Sequence, residues 1–217
     1  MVAREIQCDF DLRHEAGPRT EGVHVSELIG EAARRTGILL GKEDEGELDW
    51  TLARYRMAHG EDVAVMYPTA IYRVAMGLAW EKWYGPQHPE INFHDIGELT
   101  RGRIIGSPDG LQFDRDGGIV HEIKLTWKSS RSDREEPTHR LSTEWMWLSQ
   151  IKAYCAMASH AIQQPVTRGR LHVFWVCGNY KGSGPQAKQY DLNFTSDEVE
   201  ANWKVMEAVD RWRKMQR

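Results

Sequence analysis

Gly106-Ser-Pro-Asp-Gly-Leu-Gln-Phe-Asp-Arg-Asp-Gly-Gly-Ile-Val-His-Glu-Ile-Lys124 is the stretch whose reading decides the fold. Arg103 to Phe113 is built of β-forming residues with a break at Ser107-Pro-Asp-Gly110, and Asp114-Arg-Asp-Gly-Gly118 is a strong hairpin-turn signal. From Ile119 to Trp127 the chain alternates. Ile119, His121, Ile123 and Leu125 point one way; Val120, Glu122, Lys124 and Thr126 point the other. Glu122 and Lys124 therefore share a face. With a turn centred on Arg115 to Gly118, Asp109 is expected roughly opposite Lys124, and a register slip of one residue would send it to the other face. Two carboxylates and an amine on one hairpin suit phosphodiester hydrolysis with a divalent metal. The carboxylates are hard oxygen donors, the metal makes a nucleophile of water, and the amine orients that water or steadies the developing charge. Each piece also has an ordinary structural role. Pro-Asp-Gly is a common turn tripeptide, and Glu-x-Lys on a strand is commonly a solvated face.

The flanking segments extend the pattern. Ser142 to roughly Ile162 reads as a helix, with Ser142 or Thr143 as N-cap and Glu144 in the first turn. Gln150 and Tyr154 are neighbours on it, with Trp147 a turn earlier. Both are polar handles for a phosphate, a base or a carboxylate; equally, Trp147, Ile151, Tyr154 and Ala158 form a core stripe with Gln150 at its boundary. Upstream, Pro68 suits the first turn of a helix running to about Tyr84, where Gly85-Pro86 stops it. Arg73, Gly77 and Glu81 share one face of that helix. The glycine permits close approach of another backbone, while Glu81 beside Lys82 also fits a plain solvent-facing role.

Taken in order, Gly77-Leu-Ala-Trp-Glu81, Gly106-Ser-Pro-Asp109, Glu122-Ile-Lys124 and Gln150-Ile-Lys-Ala-Tyr154 resemble the motifs of the RecB-like branch of the PD-(D/E)XK nuclease superfamily. The resemblance covers roughly Thr69 to Phe194, and the glutamine-three-tyrosine motif after the Glu-x-Lys strand is its specific part. It implies an α/β (mixed α+β) restriction-endonuclease-like core of order αβββαβ, with a central mixed sheet flanked by helices. It implies a magnesium-dependent deoxyribonuclease, an exonuclease of the phage or bacterial recombination type, with manganese able to substitute. An endonuclease or junction resolvase on the same fold, and a non-catalytic DNA- or protein-binding module that keeps it, remain the alternatives. By motif, Glu81, Asp109, Glu122 and the backbone carbonyl of Ile123 look like metal ligands. Lys124 looks like the catalytic lysine, and Gln150 and Tyr154 like its supporting pair. Many members of the family carry histidine where this chain has Glu81; glutamate suits magnesium better. DNA is the implied partner, together with a homo-oligomer and a single-strand annealing or recombination protein.

The chain of 217 residues is 41% apolar and 28% charged, ordinary for a globular domain. No run approaches a membrane span, and the amino terminus lacks the basic start and apolar stretch of a signal peptide. Cys8, Cys155 and Cys177 are scattered and odd in number, which argues for a reducing, cytoplasmic compartment and against the clustered cysteines of an iron–sulfur cluster. The net charge of −4 is unlike that of a DNA-coating protein, but phosphate contacts are made locally. Lys124 to Arg140 is the candidate stripe. Trp127, Lys128, Ser129, Arg131 and Arg140 there are the expected substrate contacts, with a mixed-charge polar loop as the alternative.

The whole chain reads as one domain: a helical amino-terminal extension to residue 66, then a catalytic core from 67 with a carboxy-terminal helix. Val25 begins a short helix ending by Gly37, and Leu48 to about Met66 is expected helical. Ile91 to Leu99 is expected to be the first core strand. Leu171 to Cys177 and Lys188 to Phe194 are expected strands, joined by a turn at Lys181-Gly-Ser-Gly-Pro185. Thr195-x-x-Glu198 is a capping box opening the last helix.

Overall fold

The structure, a computed structural model, describes residues 20–36, 68–91, 96–130, 144–179, 182 and 184–215. The expected helix at Leu48 to Met66 lies outside them. In chain order the elements are β1 (Val23–His24), α1 (Val25–Thr36), α2 (Pro68–Gln87), β2 (Leu99–Arg101), β3 (Ile104–Gly106), β4 (Gly110–Asp114), β5 (Gly117–Thr126), α3 (Trp145–Ile162), β6 (Arg168–Trp175), β7 (Gln186–Asn193) and α4 (Ser196–Met215). The fold is mixed α/β, as the resemblance implied. The described strands form a three-stranded sheet, β1-β3-β2, and a four-stranded sheet, β4-β5-β6-β7.

The β4–β5 hairpin organises the rest. Asp114 pairs with Gly117, so the loop is only Arg115-Asp116. The Asp114 carboxylate accepts a hydrogen bond from the Asp116 amide at 2.8 Å, the local bonding that makes aspartate a turn residue. Gly117 takes a φ of 110°, which disfavours any residue with a Cβ. Arg168 on β6 donates to Asp114 Oδ2 at 3.0 Å and to the Gly117 carbonyl at 2.8 Å, tying the tip to the neighbouring strand. Gly110 pairs with His121, and continuing that register sets Asp109 against Glu122, two residues away from the expected Lys124. A shift of two preserves the face, because strand side chains repeat every second residue.

From β5 the chain crosses through α3 to β6, which runs parallel to it with Glu122 opposite Leu171 and Lys124 opposite Val173. Among the described residues, α3 covers one face of the sheet and α2 the other. On one side Leu171, Val173 and Trp175 join Trp147 and Ile151 of α3 in the core. A Cβ at Gly169 would sit 2.3 Å from the Ile151 side chain, so this glycine sets how closely α3 lies on β6. On the other side the Trp80 ring of α2 stacks on Phe174 at 4.2 Å, and the Tyr84 hydroxyl donates to His172 Nδ1 at 2.8 Å.

Helix α4 begins on the expected capping box. The Thr195 amide donates to Glu198 Oε2 at 2.8 Å, and the Glu198 amide donates to Thr195 Oγ1 at 3.1 Å. Helix α1, from the amino-terminal extension, shares the core with α4: Val25, Leu28, Ile29 and Ala32 cluster with Met206 and Val209.

Several boundaries differ from expectation; strand β7, expected from Lys188 to Phe194, runs from Gln186 to Asn193, and β6 ends at Trp175 rather than Cys177. Helix α2 continues through Gly85-Pro86 to Gln87, since a proline in the last turn removes a single ladder bond. Ile91 is not in a strand; its amide donates to the His88 carbonyl at 2.9 Å in the turn that follows α2, residues 92–95 of the expected strand lie outside the described residues, and Leu99 begins β2. Helix α3 starts after Glu144, while Ser142 and Thr143 lie outside the described residues. Strand β6 begins at Arg168, three residues early, because it pairs with β5 from Ile119 onward. Among the described residues no helix is long and apolar enough to cross a membrane.

Candidate active site

The candidate site forms where β4 stops and β5 continues. Strand pairing ends at Gly110, and the Asp109 carboxylate takes the next ladder position, accepting the Ile123 amide through Oδ2 at 2.6 Å. In a strand the N–H and C=O of one residue point to the same side, so the Ile123 carbonyl faces the same edge as Asp109.

Glu122 is buried on the α3 side. Lys124, two residues on and therefore on the same face, reaches Glu122 Oε1 with its ammonium at 2.5 Å. The same ammonium donates to Gln150 Oε1 at 2.9 Å, and Gln150 Nε2 donates to the Tyr154 hydroxyl at 2.9 Å. The polar handles of α3 thus reach the lysine, while the Tyr154 ring sits in the core. Gly106 allows this: a Cβ there would lie 2.7 Å from Tyr154 Cε1 and 2.8 Å from Met157 Sδ.

The electrostatics are those of carboxylates crowded out of water. Burial pushes the Asp109 carboxyl well above the usual carboxylate range, and the negative charges of Glu122 and Glu81 push it further. Burial pulls the Lys124 ammonium down, but Glu122 and Asp109 outweigh this and hold it above its ordinary value, so it stays charged. Three carboxylates thus act on one ammonium. Among the described residues no group of three or more His, Cys, Asp or Glu side chains is arranged to hold a metal ion. The oxygens that gather at the edge are two carboxylates and a main-chain carbonyl, with Glu81 acting through its charge. Hard oxygen donors with an excess of negative charge fit a magnesium-like ion better than a softer metal.

The expected substrate contacts are placed differently. Lys128 does not point outward: its ammonium donates to Glu144 Oε2 at 3.0 Å and lies over the Trp147 ring, with 13% of the side chain exposed. It therefore fastens the end of β5 to the start of α3 and is spoken for as a phosphate contact. Trp127 lies beneath the Arg73 guanidinium, 5.7 Å from its ring centroid. Ser129 is half-buried, and Arg131 and Arg140 lie outside the described residues.

One polar cluster was not anticipated. On the opposite face of β5 from Glu122, His121 Nδ1 and His172 Nε2 are 3.0 Å apart, and both rings are buried. His121 Nε2 lies 3.1 Å from Gln112 Oε1. A histidine at the inward position of a strand otherwise filled by Ile119 and Ile123 was the available signal.

No family model and no curated protein matches this chain. Among solved structures it is similar to LHK-Exo in complex with dAMP, at 12% identity over 90% of this chain and 89% of that one, with a TM-score of 0.50. It is also similar to the alkaline exonuclease LHK-Exo from Laribacter hongkongensis, at 11% identity over 90% and 89%, with a TM-score of 0.45. A further similarity is to SSO0001, at 17% identity over 93% of this chain and 81% of that one, with a TM-score of 0.44. At these identities the likeness is one of fold: this chain has the mixed α/β fold of LHK-Exo.

Proposed function

We propose that this protein is a metal-dependent deoxyribonuclease of the PD-(D/E)XK superfamily, in its RecB-like branch, and that it acts as an exonuclease in DNA recombination or repair. The observation that carries this reading is the meeting of Asp109, Glu122 and Lys124 at the open end of β4, with Lys124 braced by Gln150. The fold shared with LHK-Exo agrees with a nuclease of this general kind, and the choice of exonuclease rests on the motifs.

Asp109, Glu122, the Ile123 carbonyl and Glu81 would hold magnesium or manganese. The ion, when bound, activates water and neutralises phosphate charge. The chain's own residues do the positioning. Asp109 keeps one carboxylate oxygen on the Ile123 amide, which fixes its plane. Lys124, charged and held by Glu122 and Gln150, presents a hydrogen-bond donor to a phosphate oxygen as negative charge builds there. Tyr154 anchors Gln150 from the core, so the lysine's direction depends on core packing as well as on its own strand.

The direct test is digestion of end-labelled linear duplex beside a covalently closed circle, with magnesium, with manganese and with a chelator. The expected result is metal-dependent loss of the linear form with the circle spared. Cleavage of the circle would make the protein an endonuclease, and cleavage of neither would remove the reading.

The Tyr154 brace yields a prediction at Gly106, a residue with no side chain to join the chemistry. Gly106→Ala inserts a methyl against Tyr154 and Met157, and is expected to cost about 1–3 kcal/mol in urea denaturation, the usual penalty of overpacking. It should also lower kcat by about tenfold with KM little changed, because it moves the anchor of Gln150. In a Gln150→Ala background the further loss in kcat should vanish. Equal losses in both backgrounds would mean that Gly106 does not act through Gln150.

A further inference from the structure

We propose that Arg73, seated over Trp127, and the open helix face at Gly77 form a subsite for the DNA strand beyond the bond being cut. This rests on the nuclease reading of the site. Arg73, Gly77 and Glu81 recur at four-residue intervals on α2, so they line one face. At one end of that face the Glu81 charge reaches Asp109 and Lys124. At the other end Arg73 is exposed, with its guanidinium 5.7 Å from the centre of the Trp127 ring. Between them, among the described residues, nothing lies within 4 Å of where a Cβ of Gly77 would project. The glycine is thus not explained by tight packing, although it weakens a helix by about 1 kcal/mol relative to alanine.

At 5.7 Å the guanidinium is within cation–π reach of the ring, which biases its position while its edge donors stay available for bidentate contact with a phosphate. Eight residues of helix separate Arg73 from Glu81, a rise of about 12 Å, which is the length of roughly three to four nucleotides of B-form strand. The Arg73 phosphate is therefore a few nucleotides from the scissile one, and Gly77 leaves room for the strand between them. Lys128, committed to Glu144, is not the cation that serves this role.

The test measures equilibrium binding of a labelled oligonucleotide across a salt series, together with steady-state cleavage, for Arg73→Ala, Gly77→Leu and wild type. Arg73→Ala is expected to weaken binding about tenfold and to lower the salt slope by about one, the signature of a lost phosphate contact. Gly77→Leu is expected to raise the melting temperature, since leucine is the better helix former, and yet to weaken binding several-fold with the salt slope unchanged. Both losses should appear in KM rather than in kcat. Wild-type binding in either variant would overturn the subsite. Failure of the wild-type protein to cleave any DNA would overturn the nuclease reading instead, and the binding data would still report on the subsite by itself.

Discussion

Asp109→Asn and Lys124→Ala are each expected to lower DNA cleavage by at least about a hundredfold, the loss typical of removing one preorganised electrostatic group. Asparagine at 109 is the sharper probe. It keeps a side-chain oxygen for the Ile123 amide, bonded at 2.6 Å, and removes the negative charge. Alanine there would also strand that amide, at a cost of about 1–3 kcal/mol, and so mix folding with chemistry. Lys124→Ala takes the ammonium away from Glu122 and Gln150 while leaving Tyr154 in the core. Both variants should keep the wild-type far-UV circular dichroism spectrum, and single-turnover rates at saturating DNA and metal give the chemical step. Wild-type rates in Asp109→Asn would take the carboxylate out of the mechanism. Lost cleavage accompanied by lost structure would return Asp109 to the turn-and-cap role that its bond to β5 also fits.

Much of this geometry was legible because a strand's side chains repeat every second residue. Alternation from Ile119 to Trp127 separated Glu122 and Lys124 from His121 and Ile123, and the structure keeps that division. The sequence makes the hairpin loop two residues too long, Arg115 to Gly118 in place of Arg115-Asp116, because Asp114 to Gly118 offers several turn dipeptides and only the pairing of Asp114 with Gly117 selects among them. The longer loop sets Asp109 opposite Lys124 instead of Glu122, without changing its face. The capping box at Thr195 was legible because every partner lies within four residues. What stayed hidden was long in range. Nothing local reveals that Lys128 is held by Glu144, sixteen positions on. Nothing local reveals that Gly106 yields space to Tyr154, or that His121 meets His172 across fifty-one residues. Helix α2 passes through Gly85-Pro86 for a related reason: its last turn is held by Tyr84 on His172, a contact invisible to a rule about proline.

The protein is expected to lose stability steeply as the pH falls from 6.5 toward 4, with the histidine pair behind β5 as the cause. Gln112 Oε1 accepts from His121 Nε2 at 3.1 Å and from Arg170 Nη1 at 3.5 Å, so the His121 proton sits on Nε2 and Nδ1 is left as acceptor. His172 Nε2 must then donate to His121 Nδ1, which leaves His172 Nδ1 to accept from the Tyr84 hydroxyl. One proton occupies each link, and a second proton on either ring would set donor against donor. Burial, then the neighbouring ring charges and Arg170, lowers His121 to about 3 and His172 to about 4. Unfolded histidine titrates near 6.5, so below that pH the unfolded chain binds protons that the native state refuses. The stabilisation is complete above about 6.5 and is lost as pH falls through the folded values. Each histidine contributes a slope of about 1.4 kcal/mol per pH unit in this window, and the pair somewhat under 3. Between pH 6 and 5 Asp109, whose raised carboxyl takes up a proton in the native state, acts with the opposite sign in both proteins, so urea denaturation should return a wild-type slope steeper than that of His172→Gln by about 1.4 kcal/mol per pH unit. The slope is read within each protein, so a constant loss of stability in the variant does not disturb it. Equal slopes in the two proteins would mean that His172 accepts a second proton in the native state, and the one-proton chain from Tyr84 to Gln112 could not stand.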